Sequence, residues 1–204
     1  MTLADAVTTR PLVAPETHDD GSGPLFEVVD GRKVEKPMSM LAQQTGSKIA
    51  RRLGNYVEDE LNDGGIVGTE HFIACFDWAP KLRRRPDVAY WRGEQYPEGI
   101  PPRGDAALPP ALAIEVVSPG DEAENLNGKI NEYFRAGIEL VWTVFPSTRS
   151  IYVQQPDGTA HMYRAGETIT GEPVLPGFSI NVADLFPPIQ ATSETPDATN
   201  NPVE

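Results

Sequence analysis

The stretch Ala111–Val117, ALAIEVV, is apolar except for Glu115, and it restricts the fold more tightly than any other part of the chain. A short run this apolar, broken by Pro119-Gly120, reads as a buried central strand rather than one side of a solvated ribbon. Side chains alternate along a strand, so Glu115 shares a face with Ala111, Ala113 and Val117, while Leu112, Ile114 and Val116 occupy the other. The bulky face is expected to pack inward and the small-residue face to leave room around the carboxylate. A buried, unpartnered acid is strongly unfavourable, so the fold must bring Glu115 a cation, a hydrogen-bond donor or solvent.

The segments around this strand suggest a single α+β core. LFEVVDGRKVEKP reads as a hairpin turning at Asp30-Gly31. Ser39 is placed to cap the longest helix, whose apolar positions include Leu41, Ile49, Leu53, Val57 and Leu61 and which ends at Asn62-Asp63-Gly64-Gly65. Strands are expected over Ile66–Thr69, His71–Phe76 and Pro86–Trp91. A Pro/Gly-rich loop runs from Gly93 to Pro110. A second helix is predicted over Glu122–Ala136, stopped by Gly137, and antiparallel strands over Ile138–Phe145, Ser150–Gln155 and Thr159–Tyr163. With 204 residues, 39% of them hydrophobic, one core is expected over residues 25–187. Residues 1–24, polar and Pro/Gly-rich, read as a disordered or loosely ordered tail, and residues 188–204, rich in Thr, Pro and Asn, as a disordered one.

Several function classes are disfavoured. The one cysteine, Cys75, allows neither an internal disulfide nor a thiolate metal cluster, and the three histidines, at 18, 71 and 161, form no closely spaced zinc pair. There is no Walker-type phosphate loop, and Ser118 lacks a G-x-S-x-G setting. No apolar run approaches the roughly 18 residues of a membrane span, and the N-terminus lacks a signal-peptide core, so a soluble cytoplasmic protein without a membrane partner is expected. The net charge of −13 disfavours general nucleic-acid binding, but residues 31–85 hold ten bases against seven acids. Two basic groups, Lys48, Arg51, Arg52 and Arg83, Arg84, Arg85, are candidate DNA contacts; ordinary solvated surface charge is the competing reading.

Three residues in consecutive predicted elements carry the chemistry: Asp87 in RRRPDVAYW, Glu115, and Lys129 in NLNGKINEYF. On the second helix Leu126, Ile130 and Phe134 form an apolar stripe, with Lys129 and Tyr133 in a parallel row beside it. The Lys129 stem can therefore follow apolar surface and bring its ammonium to the strand ends. Two carboxylates at neighbouring strand ends repel unless a divalent cation or a lysine lies between them, which points to Mg²⁺ or Mn²⁺ with oxygen ligands. Spacing alone is equally compatible with a surface ion pair.

The run RPDVAYW … PPALAIEVVSPGDEAENLNGKINEYFRAGIELVWTVFP, with the upstream LFEVVDGRKVEKP, resembles the Uma-type restriction endonucleases, a branch of the PD-(D/E)XK phosphodiesterase superfamily. The resemblance implies a restriction-endonuclease-like mixed central sheet flanked by helices, and Mg²⁺-dependent hydrolysis of DNA. It implies Asp87 and Glu115 as metal ligands, with the Val116 backbone carbonyl as a third oxygen. In the wider superfamily the lysine follows the glutamate by two residues on the same strand; here that position is Val117, and Lys129 matches the helix lysine of the Uma-type pattern. Glu27 matches a recurrent acid of the family, as an outer ligand or ion-pair partner. Gln44 lies on the helix where related nucleases carry an active-site acid, with a plain exposed helix residue as the favoured reading, and Tyr133 is placed to orient Lys129 or touch phosphate. Cutting two strands would make a homodimer useful. The acidic surface and displaced lysine also motivate a rival reading, a nuclease fold kept as a binding or regulatory module.

Overall fold

The computed structural model describes residues 23–36, 38–100 and 103–188, so the expected tails lie almost wholly outside the described residues. Ten strands and two α-helices follow in the order β1 (Phe26–Val29), β2 (Arg32–Glu35), α1 (Met40–Tyr56), β3 (Ile66–Thr69), β4 (Val88–Trp91), β5 (Leu112–Val116), α2 (Ala123–Ala136), β6 (Leu140–Phe145), β7 (Ser150–Gln154), β8 (Ala160–Arg164), β9 (Thr168–Gly171) and β10 (Leu175–Asn181). Strands β3 to β8 form one six-stranded sheet in sequence order. It is mixed: β5 and β6 pair in parallel, joined by α2 as the crossover, and every other neighbouring pair is antiparallel.

Local chemistry explains the main elements. Asp30 and Gly31 both take positive φ, 51° and 74°, which closes the two-residue turn of the β1–β2 hairpin. The Ser39 side chain accepts from the Ala42 amide and starts α1. That helix runs on through a π turn over Val57–Leu61 and stops where Asn62 turns left-handed. α2 begins after Glu122 and stops at Gly137, whose φ of 96° only glycine adopts readily.

The sheet is covered on both faces. On one, Leu112, Ile114, Trp142 and Val144 meet Ile49, Leu53 and Val57 from the α1 side, together with Ile169, Leu175 and Phe178 from the β9–β10 hairpin. On the other, Ala89, Ala113 and Val141 meet Ile130 and Tyr133 of α2, with Ile73 and Phe76 beside them. The alternation expected of β5 is present, but its small-residue face is not left open: Ala113 lets α2 close over the strand.

Two expectations are corrected. His71–Phe76 is not a strand; Glu70 turns left-handed after β3, and only Ile73 makes isolated bridges, to Arg84 and Ala106. The β9–β10 hairpin was not expected, because an irregularity between Leu175 and Ser179 interrupts its alternation. Among the described residues no helix is long and apolar enough to cross a membrane. Leu53 is fully buried between α1 and the sheet. Leu53→Ala is expected to lower unfolding stability by about 2–5 kcal/mol in urea titrations, whereas a loss below about 1 kcal/mol would show that α1 is dispensable to the core.

Candidate active site

The antiparallel register that pairs Val88 with Ile114 brings Asp87, one residue before β4, to the same sheet end as Glu115 on β5. Both side chains are buried, at 6% and 4% exposure, yet both line a cleft of about 490 Å³ shared with Glu27, Lys36, Val116 and Lys129. Asp87, Glu115 and Lys129, read from the sequence as a converging set, do line one cleft.

Lys129 lies one helical turn before Tyr133 on the face of α2 that meets the sheet. Its ammonium donates to Glu115 Oε2 at 2.8 Å and pairs with Glu27 Oε1 at 2.7 Å. The Tyr133 hydroxyl donates to the other Glu115 oxygen at 2.6 Å. Tyr133 therefore orients the carboxylate rather than the lysine. Glu27, at the start of the hairpin, also accepts from Arg84 at 2.8 Å and from the Arg85 amide at 2.9 Å. Burial alone would raise the Glu27 pKa, but Lys129 and Arg84 outweigh it and hold the carboxyl down at about 2. Burial raises Glu115, with Lys129 and then Lys36 opposing. Burial disfavours the charged form of Lys129 as well, yet two facing carboxylates keep it an ammonium well above its ordinary range. It is consequently a poor proton acceptor.

Two members of the site were not singled out in the sequence. Lys36, just past β2, donates to Asp87 Oδ1 at 2.7 Å, to Glu70 Oε2 at 3.1 Å and to the Arg85 carbonyl at 2.8 Å. Glu70 follows β3, at the same sheet end. Burial and the charge of Asp87 raise its pKa to about 8 despite Lys36, because that ammonium is shared with Asp87. The only signal for either was position: an isolated charge at the mouth of a predicted strand.

Other candidates fall elsewhere. Gln44 is exposed and is not part of the cleft lining; α1 approaches the site at Gly46, where an added Cβ would stand 3.8 Å from Val116 Cγ2 and 4.0 Å from Asp87 Cβ. Of Arg83, Arg84 and Arg85, read from the sequence as DNA contacts, Arg83 is turned inward, while Arg84 lines the cleft. Arg83 is buried against Asp105 at 2.7 Å. Arg84 bridges Glu27 and Glu132, and Arg85 stacks on Phe72 while donating to the Glu70 carbonyl. Buried carboxylates require these cations internally. Lys48 donates to the Phe186 carbonyl, while Arg51 and Arg52 are exposed on α1.

Among the described residues, no three His, Cys, Asp or Glu side chains are grouped to hold an ion by themselves. The donors nevertheless suit Mg²⁺, which is commonly bound through one or two carboxylates with solvent and substrate phosphate completing the shell. The charge balance also suits it. The ion pairs join five carboxylates, of Glu27, Glu70, Asp87, Glu115 and Glu132, to three cations, Lys36, Arg84 and Lys129. With Glu70 holding its proton, these pairs leave one excess negative charge beside the cleft that Asp87 and Glu115 line.

A nuclease-like α+β sheet with a carboxylate and lysine cleft at one end is thus the class this molecule presents. The sequence matches the Uma2 family, described as "Putative restriction endonuclease", over residues 14–183, and the chain belongs to that family. Its structure is similar to a crystal structure from Anabaena variabilis ATCC 29413 described as a putative nuclease of DUF820, with a TM-score of 0.67 and 18% identity over 84% of this chain and 92% of that one. No curated protein matches the chain.

The raised pKa of Glu70 has a measurable consequence. The folded state keeps the Glu70 proton up to pH about 8, while the unfolded chain releases it near its ordinary 4.5. Between those values stability therefore falls as pH rises. Glu70→Gln is expected to flatten this decline in denaturant titrations from pH 5 to 9; an unchanged slope would place the titrating group elsewhere.

Proposed function

We propose that the chain is a metal-dependent phosphodiesterase that hydrolyses DNA, with Mg²⁺ or Mn²⁺ held by Asp87, Glu115 and the Val116 carbonyl. The observation that carries the reading is the convergence of Asp87, Glu115 and Lys129 on one cleft, with Lys129 paired to Glu115. A bound divalent ion would draw charge from the phosphate and acidify water.

The side chains around that position have separable roles. Lys129, fixed by Glu27 and Glu115, presents a permanent positive charge to the oxygens on which charge develops, and orients rather than deprotonates the attacking water. Tyr133 locks one Glu115 oxygen, so the other is turned to Lys129 and the cleft. Glu27 acts at one remove, as the partner that positions Lys129. Arg51 and Arg52, exposed on α1, are cations available to a DNA backbone, whereas Arg83 and Arg84 are committed internally.

A second reading, a binding module on the same fold, draws support from the lysines already pairing both carboxylates, which lets the cluster stand without a metal. Calorimetric titration with Mn²⁺ separates the two: uptake abolished by Asp87→Ala supports the enzyme, and no uptake by the wild type supports the module. In a cleavage assay, Glu115→Gln is expected to remove metal-dependent activity with the fold intact by circular dichroism. Lys129→Met is expected to slow turnover on the order of 10²–10³-fold while Mn²⁺ still binds; full activity in either variant would strike that residue from the site. Charge reversal of Arg51 and Arg52 is expected to weaken DNA association and flatten its salt dependence. Unchanged binding would move the DNA face off α1.

A further inference from the structure

Each oxygen of Asp87 already has a donor: Lys36 on Oδ1 at 2.7 Å and the Val116 amide on Oδ2. Lys36 spends its donors on three acceptors, Asp87, Glu70 and the Arg85 carbonyl, and its side chain is 14% exposed. Unlike Arg83, which is buried against Asp105 away from the cleft, Lys36 lines the cleft beside Glu115 and Lys129. It arrives on the connection between β2 and α1, outside the strands and helix that carry Asp87, Glu115 and Lys129.

Two cations on one carboxylate stand only about 4 Å apart and repel strongly where solvent screening is weak. A divalent ion on Asp87 and the ammonium in its present place are therefore in competition. The ammonium has a second acid to go to. Glu70 already binds it at 3.1 Å, and its side chain is the more open of the two acids, 22% exposed against 6% for Asp87.

We propose that Lys36 is a displaceable internal cation: it neutralises Asp87 until a divalent ion takes that carboxylate, and it is then held by its hydrogen bonds to Glu70 and the Arg85 carbonyl. The inference rests on the metal-dependent reading above and adds a positioning residue to it. Displacement makes metal entry an exchange of one cation for another, so Asp87 is never left buried and unpaired. It also sets a threshold: a monovalent ion gains too little from Asp87 to remove the ammonium.

The test uses Mn²⁺ as the probe, at fixed pH. Lys36→Met is expected to bind Mn²⁺ at least about tenfold more tightly than the wild type, the scale on which an adjacent charge shifts occupancy of a carboxylate. Lys33→Met removes the same charge from an exposed site over Phe26, without contact to Asp87, and is expected to change affinity less than about twofold. In the wild type, acylation of Lys36 by an amine-reactive reagent, read by mass spectrometry, should rise several-fold with Mn²⁺ and stay unchanged by Mn²⁺ in Asp87→Ala. Should Lys36→Met fail to fold, the wild-type labelling decides alone. Equal or weaker Mn²⁺ binding by Lys36→Met with unchanged wild-type labelling overturns the exchange and leaves the nuclease reading standing. Absence of Mn²⁺ uptake by both wild type and Lys36→Met removes both.

Discussion

The constraint on which the rest of the structure depends is the burial of negative charge at one end of the central sheet. Glu27, Asp87 and Glu115 are all less than one-tenth exposed, and none could remain there as an isolated ion. Lys129, set between Glu27 and Glu115, resolves most of that conflict with a single ammonium. The position of α2 follows from it. The helix must approach β5 closely enough for a lysine to reach the strand, and Ala113 permits that approach where a larger residue would hold it away.

The same need for cations explains the arginines after β3. Arg83, Arg84 and Arg85 look like a phosphate-binding run when read linearly, but each is drawn inward by an acid, a carbonyl or an aromatic face. Breaking one such pair would leave a charge stranded, so these contacts tie the loop before β4 to the hairpin and to α2.

Much of this was legible locally. The Asp30-Gly31 turn, the Ser39 cap, the Gly137 stop and the lone glutamate of β5 each act within a few residues, and each is where the sequence pattern puts it. The row of Lys129 and Tyr133 on α2 was likewise readable from helical spacing, and the mixed sheet followed from the family resemblance. Lys36 and Glu70 were hidden because their partner Asp87 is 51 and 17 residues away, and nothing local distinguishes them from surface charges. Charge runs carry no information about depth, which is why Arg83 was misplaced. The apolar run His71–Phe76 reads as a strand but turns out of the sheet, and over β10 a bulge disguises a strand.

The β1–β2 hairpin pairs with no strand of the central sheet; its backbone link is the Val28 and Arg83 bridge. Yet it contributes Glu27, and Lys36 follows directly from it. If this flap detached, the core could remain folded, but Lys129 would lose one of its two acids and Asp87 its ammonium at the same moment. The centre therefore reports on the integrity of the N-terminal segment. A chain clipped or locally frayed there would hold Asp87 and Glu115 without the ammonium and the acid that arrange them, so the order of the centre is the first thing such damage removes.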